Sequence, residues 1–258
     1  MTKLLEVKNL HKYFGKNKDL VKAVNDVSFS LEAGETVGLI GESGCGKSTL
    51  ARLILALLEP DKGELILHGK AYREFKGRRL DFYRQVQMVF QNPYDVFDQR
   101  FTIGQILARP LKIHALVDSK EAAREKILES LEAVSIQPAH DFIDRHPYEL
   151  SGGQLQRIAI LRAMLLEPDL LVADEAVSSL DVSVRAEVLN LLMSLKKSHK
   201  MAMLFISHDI QTTAYIADRL MVMYFGKIVE SGRTEEIIEN PQHDYTKALL
   251  NSSKSIDF

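Results

Sequence analysis

ETVGLIG, residues 35–41, runs straight into ESGCGKST, residues 42–49, and then into LARLILALLEP, residues 50–60. The first segment is short, apolar and β-rich, and reads as a buried strand that ends at Gly41. The third has helical spacing and is expected to run as a helix to a stop at Pro60. Between them, Gly41, Gly46, Lys47 and Ser48 meet the spacing G-x-x-x-x-G-K-[ST]. A strand before and a helix after make that spacing a phosphate cradle and not merely a flexible turn. Glycines let backbone N–H groups converge on phosphate oxygens, and the new helix adds its positive end. Lys47 supplies a mobile charge for the β- and γ-phosphates, and Ser48 offers a hydroxyl to Mg²⁺. Ser43, Gly44, Cys45 and Thr49 belong to the same nucleotide-binding set, with Cys45 as a small spacer whose backbone N–H faces the loop.

Outward from this loop the chain alternates. Leu5, Val7 and Leu10, then Val24, Val27, Phe29 and Leu31, are spaced like half-buried strands, and GELILHGK and QVQMVFQ give two more. From about residue 92 to about 150 the texture turns helical and polar. SKEAAREKILESLEAV reads as an amphipathic helix, with Asp118 and Glu121 as the expected capping pair. Buried-strand runs return as LLVAD, MAMLFIS and RLMVMYFGKIVESG. The pattern predicts an α/β core carrying a helical insertion, over residues 1–233, with a short polar tail at 234–258.

Composition limits the function. The 258 residues are enough for one large domain, or for one domain with an insertion. A net charge of −2 gives no electrostatic case for nucleic acid. No apolar run reaches membrane-span length, and the N-terminal stretch lacks the apolar core of a signal peptide, so a cytosolic protein is expected. The single cysteine excludes an internal disulfide and a cysteine-rich metal site. His11, His68, His114, His140, His146, His199 and His243 show no metal-ligand spacing and read as surface or core residues.

A phosphate cradle needs a second metal-handling acid on a neighbouring strand. In LLVADE, Asp174 follows four residues suited to a buried strand, so its carboxylate emerges at the edge where ligands bind in α/β sheets. It can hold Mg²⁺, and Glu175 can polarise an attacking water as general base. ELSGGQLQRIAILRAML then places a serine and two glycines at the start of a long helix. Ser151, Gly152, Gly153 and Gln154 thus form a second anion-receiving helix start. One chain with one nucleotide has no evident use for it. Two chains head to tail do, each offering its SGGQ to the nucleotide held by the other.

At this point the sequence resembles the ATP-binding cassette family. LSGGQ at 150–154 matches that family's signature motif without change, and the likeness recurs at station after station along nearly the whole chain. The resemblance implies an α/β P-loop NTPase (RecA-like) core, an antiparallel β subdomain and an inserted α-helical signature subdomain. It implies that Tyr13 stacks on adenine and that Gln91 reaches metal and water from a flexible loop. It also implies that Asp181, ending SSLD, lies along a dimer interface, and that His208 holds the γ-phosphate. Taken alone, Tyr13 reads as packing, His208 as an exposed or capping residue, and Gln91 carries no signal. The implied catalytic residues are Glu175, His208, Lys47 and Gln91, and the metal-handling ones Ser48, Gln91 and Asp174, with ATP and Mg²⁺ as ligands.

GESGCGKST, DVSVRAEVLNLL, MYFGKIVESG and PQHDYTKALL are similar to the ATPases of peptide and nickel or metal-chelate importers. Three departures stand out: Asp244 where that group has proline, EAVSSLD in place of EPTSALD, and NPYDVFDQRFT. The tail has no cysteine, so no iron–sulfur cluster is expected, and its shortness leans toward the nickel or chelate branch. The implied assembly is a heterodimer with a second cassette ATPase and two permease subunits, served by an extracytoplasmic solute-binding protein, at the cytoplasmic face of the cell membrane and without nucleic acid. The alternatives are an exporter of the same family, a soluble cassette protein acting on ribosomes or DNA, and a P-loop small-molecule kinase, which would leave SGGQ unexplained.

Overall fold

A computed structural model describes residues 3–75 and 77–254. Strands β1 (Lys3–Phe14) and β2 (Val21–Glu32) pair antiparallel, with Val7 opposite Phe29 and Leu5 opposite Leu31. Leu5 and Val7 on β1 and Val27 and Leu31 on β2 are buried with even spacing, and Leu10 and Val24 stay on the buried face because register shifts, with Asn9 and Asp26 at φ of 44° and 61°, each insert a residue. Strand β3 (Thr36–Ile40) is buried along its whole length, the mark of a strand covered on both faces. It leads through the glycine loop into helix α1 (Lys47–Ile54). This helix is shorter than its apolar run implies. Ala56 takes φ of 52°, the N–H groups of Leu57 and Leu58 fold back onto the Arg52 carbonyl, and Leu57 is exposed. The periodicity ran past the core it serves. Strands β4 (Lys62–Leu67) and β5 (Lys70–Ala71) complete an antiparallel sheet in the order β2-β1-β4-β5.

Helix α2 (Arg79–Gln85) and strand β6 (Val86–Val89) precede the helical block of α3 (Ile103–Ile113), α4 (Lys120–Ala133) and α5 (Ala139–Phe142). Ile103, Leu107, Ile127, Leu131 and Phe142 form a core of their own, joined by Leu155 and Ile158 of α6 (Gly152–Met164). The cap of α4 is Ser119, whose hydroxyl accepts the Ala122 N–H at 3.0 Å. Asp118 stands one residue too early for the capping pair expected with Glu121, because the N-cap oxygen must reach the third amide of the helix.

The remaining elements are β7 (Leu170–Asp174), α7 (Val182–His199), β8 (Ala202–Ser207), α8 (Ile210–Ile216), β9 (Arg219–Tyr224), β10 (Lys227–Arg233), α9 (Thr234–Glu239) and α10 (Asp244–Lys254). The second sheet runs β10-β9-β3-β8-β7-β6, parallel except for β10. The run RLMVMYFGKIVESG, read as one segment, turns at Phe225 and Gly226, with φ of 42° and 78°, into the β9–β10 hairpin. Two consecutive positive φ values give a turn whose twist matches that of the flanking strands. The tail is packed: Ile237 and Leu250 join Ile40, Leu220 and Val222 in one cluster. Because β3, β6, β7 and β8 run parallel, Gly41, Asp174, His208 and Gln91 all leave the same edge of the sheet, the carboxyl edge where α/β sheets bind ligands. No helix among the described residues is long and apolar enough to cross a membrane.

Candidate nucleotide site

The glycine loop is wedged tightly on one side. A Cβ on Gly41 would lie 2.3 Å from the Met223 carbonyl oxygen, and one on Gly46 would lie 2.0 Å from that of Ala23. Gly46 takes φ of 115° and caps α1, so only glycine fits there. The Gly226 N–H donates to the Cys45 carbonyl at 2.9 Å. Thus β2 and the β9–β10 turn support the loop, while Ser43, Gly44 and Ser48 remain exposed and Thr49 is half-buried. Cys45 is buried, and burial pushes its thiol up against the opposing pull of Lys47. That is the behaviour of a spacer and not of a reactive thiolate.

Lys47 is only 5 % exposed. Its ammonium donates to the carbonyls of Gly41 at 2.6 Å and Glu42 at 2.9 Å and lies 3.9 Å from the Cys45 sulfur. Among the described residues no carboxylate forms an ion pair with it. A buried cation bonded only to neutral groups suits an incoming anion, so the loop fits a phosphate chain. The Ser48 hydroxyl stands 3.5 Å from Oδ1 of Asp174, at the end of β7. Burial pushes the Asp174 carboxyl up, opposed by the Ser48 hydroxyl. A hydroxyl beside a partly desolvated carboxylate is a hard-oxygen donor set of the kind Mg²⁺ takes.

Glu175 is held in the left-handed region at φ of 49°, its N–H donating to the Ile206 carbonyl at 2.9 Å. This turn lifts its carboxylate toward β8, where Oε1 meets Nδ1 of His208 at 3.3 Å. Ala176 and Val177, which depart from the expected proline and threonine, are buried in the core beneath. Asp181 caps α7, accepting the Val184 N–H at 3.0 Å and the Ser183 hydroxyl at 2.8 Å, and the Val184 N–H first of all holds its carboxyl below the usual range. Gln91 is exposed, and its carbonyl accepts the Ser179 hydroxyl at 3.3 Å.

Sequence reasoning missed Gln156. It is 1 % exposed, and its Nε2 donates to the carbonyls of Ala176 at 2.6 Å and Phe90 at 3.3 Å. One amide on α6 therefore ties the residue before Gln91 to the residue after Glu175, while its Oε1 has no hydrogen-bond partner. The available signal was weak: in LQRIAIL Gln156 stands beside Arg157, and two adjacent polar residues on a helix read as one solvated face.

Ser151 and Gln154 form a reciprocal cap on α6. The Ser151 hydroxyl accepts the Gln154 N–H at 3.3 Å, and Gln154 Oε1 accepts the Ser151 N–H at 3.0 Å. A Cβ on Gly152 would meet open space, whereas one on Gly153 would lie 2.5 Å from Val184 Cγ1. Among the described residues, no hydrogen bond or ion pair joins residues 151–154 to the glycine loop, Asp174, Glu175 or His208. Tyr13 is also engaged elsewhere. Its hydroxyl donates to Asn25 Oδ1 at 3.2 Å and meets His11 Nδ1 at 2.8 Å. Strand alternation puts Phe14 on the opposite face with Lys12, whose ammonium sits 5.7 Å from its ring. Phe14 is 42 % exposed and pairs with Val21 of β2, two residues before the Ala23 carbonyl that abuts Gly46.

The ABC transporter family model matches residues 24–178, and the model of the oligopeptide/dipeptide transporter C-terminal region matches residues 229–258. The oligopeptide transport ATP-binding protein OppF of Bacillus subtilis is 46% identical over 252 residues, covering 97% of this chain and 82% of that protein. The dipeptide transport ATP-binding protein DppF of Haemophilus influenzae is 49% identical over 259 residues, covering 98% and 78%. Among solved structures, the post-hydrolysis dimer of the ATP-binding cassette MJ0796 bound to ADP and Pi superposes with a TM-score of 0.78 at 26% identity, over 90% of this chain and 99% of that one. With its phosphate loop, its acid pair at the carboxyl edge of the sheet and its helical block all in place, the chain belongs to the ABC transporter family and has the fold of its ATP-hydrolysing cassettes.

Proposed function

We propose that the chain is the ATP-hydrolysing subunit of a peptide importer. The observation that carries the ATP chemistry is the buried Lys47, held only by neutral groups at the mouth of a helix and ready to exchange them for phosphate. Peptide is preferred to nickel or a metal chelate because both named relatives are peptide transport proteins and the tail matches the oligopeptide/dipeptide C-terminal region.

The residues divide the work. Lys47 and the amides of Gly41 to Thr49 bind the phosphates. Ser48, Asp174 and Gln91 would hold Mg²⁺, which when bound neutralises charge on the phosphate oxygens. Glu175 accepts a proton from water as the water oxygen attacks the γ-phosphorus and the bond to the β-phosphate oxygen breaks, giving ADP and phosphate. His208, 3.3 Å from the Glu175 carboxylate, orients that base and reaches the γ-phosphate. The base of ATP stacks on an aromatic at the end of β1. Phe14 suits this better than Tyr13, since its ring is open and the Tyr13 hydroxyl is already bound within the antiparallel sheet. The helix start at Ser151–Gln154 serves the nucleotide of a second cassette, and Asp181 lies along the interface between the two. The dimeric state of the MJ0796 cassette supports this reading.

ATP thereby joins two cassettes, and hydrolysis releases them, a population shift driven by the higher affinity of the closed pair for ATP. The expected assembly is a heterodimer of cassettes on two permease subunits, at the cytoplasmic face of the cell membrane, fed by an extracytoplasmic solute-binding protein. The test is capture from native membranes with Glu175→Gln and ATP. The variant is expected to bind ATP, to hydrolyse it about 10²–10⁴-fold more slowly, and to bring down two permeases and a second cassette. Wild-type turnover would remove Glu175 as the base, and recovery of a ribosomal or DNA complex would end the importer reading.

A further inference from the structure

The glycine loop is supported from the side of the tail as well. The Glu42 N–H, in the first peptide after Gly41, donates to the Tyr245 hydroxyl oxygen at 3.0 Å. Tyr245 lies on α10, 203 residues away in sequence. Its ring lies against Tyr224, with centroids 4.1 Å apart, at the end of the strand whose following turn bonds Cys45.

The start of α10 is fixed by a chain of bonds that aims this ring. Glu230 on β10 accepts the N–H groups of Gln242 at 2.7 Å and His243 at 3.0 Å. His243 Nδ1 then accepts the Tyr245 N–H at 3.1 Å, and the His243 carbonyl accepts the Lys247 N–H. His243 is thus the cap of α10. Asp244, where proline is usual, occupies the first helical position, a place that suits either residue: proline for its fixed φ, aspartate for the positive helix end. Thr246 and Leu250 are buried, and Leu250 and Tyr245 pack with Ile40 and Val222, so α10 sits against the sheet.

We propose that Tyr245 is a positioning residue for ATP binding, its hydroxyl holding the Glu42 peptide so that the phosphate loop is set before nucleotide arrives. The Glu42 carbonyl on the same residue accepts Lys47, so a shift of this residue moves the lysine's anchor as well. Burial pushes the Tyr245 pKa upward, which keeps the oxygen a phenol that accepts from Glu42 while its proton points elsewhere. The tail, in this view, is a part of the nucleotide site. The inference rests on the nucleotide assignment above.

The experiment is ATP binding and steady-state hydrolysis by the full chain carrying Tyr245→Phe, beside wild type and Lys47→Ala. The change keeps the ring on Tyr224 and removes only the oxygen. Loss of one hydrogen bond predicts an ATP Kd and KM raised about threefold to tenfold, with kcat within twofold and the nucleotide-free unfolding midpoint lowered by no more than the few degrees that one such bond is worth. His243→Ala, which frees the start of α10, is expected to weaken binding in the same direction. An unchanged Kd in Tyr245→Phe, or a weakened one in a chain already partly unfolded at the assay temperature, would overturn the proposal while leaving the nucleotide site intact. If wild type itself bound no ATP, or Lys47→Ala bound it equally well, the nucleotide reading would fall with it.

Discussion

Asp174 shows how a single carboxylate can be placed for work at some cost to the resting fold. Burial raises its pKa above the unfolded value, and Ser48 recovers part of the loss. The folded state therefore binds more protons than the unfolded one in the window between the ordinary aspartate pKa and its raised folded value. Stability falls as pH rises through that window and stays lower above it. Asp174→Asn removes the penalty, so the variant's unfolding midpoint without nucleotide should exceed wild type at neutral pH. The difference should vanish below the ordinary carboxylate range, and the variant should hydrolyse no ATP. Thermal melts from pH 3 to pH 8, set beside an ATPase assay, make the comparison. An advantage that persisted at low pH would mean that something other than desolvation is relieved. Gln156 presents a different case, a buried polar side chain whose amide nitrogen bonds two carbonyls, one from the segment before Gln91 and one from the segment after Glu175.

At the scale of elements, α6 and α7 meet where Gly153 faces Val184. Alanine in place of Gly153 would gain up to about 1 kcal/mol in helix propensity. It would also bring a Cβ to 2.5 Å from a β-branched methyl, inside any normal contact. Overpacking costs about 1–3 kcal/mol, and the stiff χ1 of valine leaves little room to yield, so the clash wins. Gly153→Ala is expected to destabilise by about 1 kcal/mol, and Val184→Ala in the same chain to restore most of it. Urea melts of the two single variants and the double variant measure the coupling, and simple additivity would show that the helices do not meet here. Contacts of this kind explain what could be read beforehand. The phosphate loop, the acid pair and the signature were legible because each is contiguous in sequence and has its own spacing. The limit of α1 was not, since Leu57 continues an apolar period that nothing in the fold buries. The cap at Ser119 was missed by one residue, where aspartate and serine are both good caps and only the geometry chooses. Gln156 and Tyr245 were illegible for another reason: their meaning lies in carbonyls and amides 20 to 203 residues away, and backbone groups carry no sequence signal.

The whole molecule is organised around β3, which lies between β8 and β9 in the middle of the parallel sheet. Thr36 pairs with Met203, and Val37 with both Leu204 and Arg219. The strand that carries the phosphate loop is thus laid down early, and its two neighbours belong to the last quarter of the chain. This order matters during synthesis. At about 5–20 residues per second, roughly 10–40 s separate the emergence of Ile40 from that of Tyr224. Until β8 emerges this buried strand lacks both of its neighbours, while the antiparallel sheet β2-β1-β4-β5 can form from residues already made. Ribosome-bound chains stalled before β9 should retain no ATP on an immobilised analogue, whereas chains stalled far enough past α10 to clear the exit tunnel should. Retention by the shorter chains would show that β3 does not wait. A cell making this protein must shield that strand until translation is nearly over, and the nascent chain becomes competent for nucleotide only when its last elements close around its first.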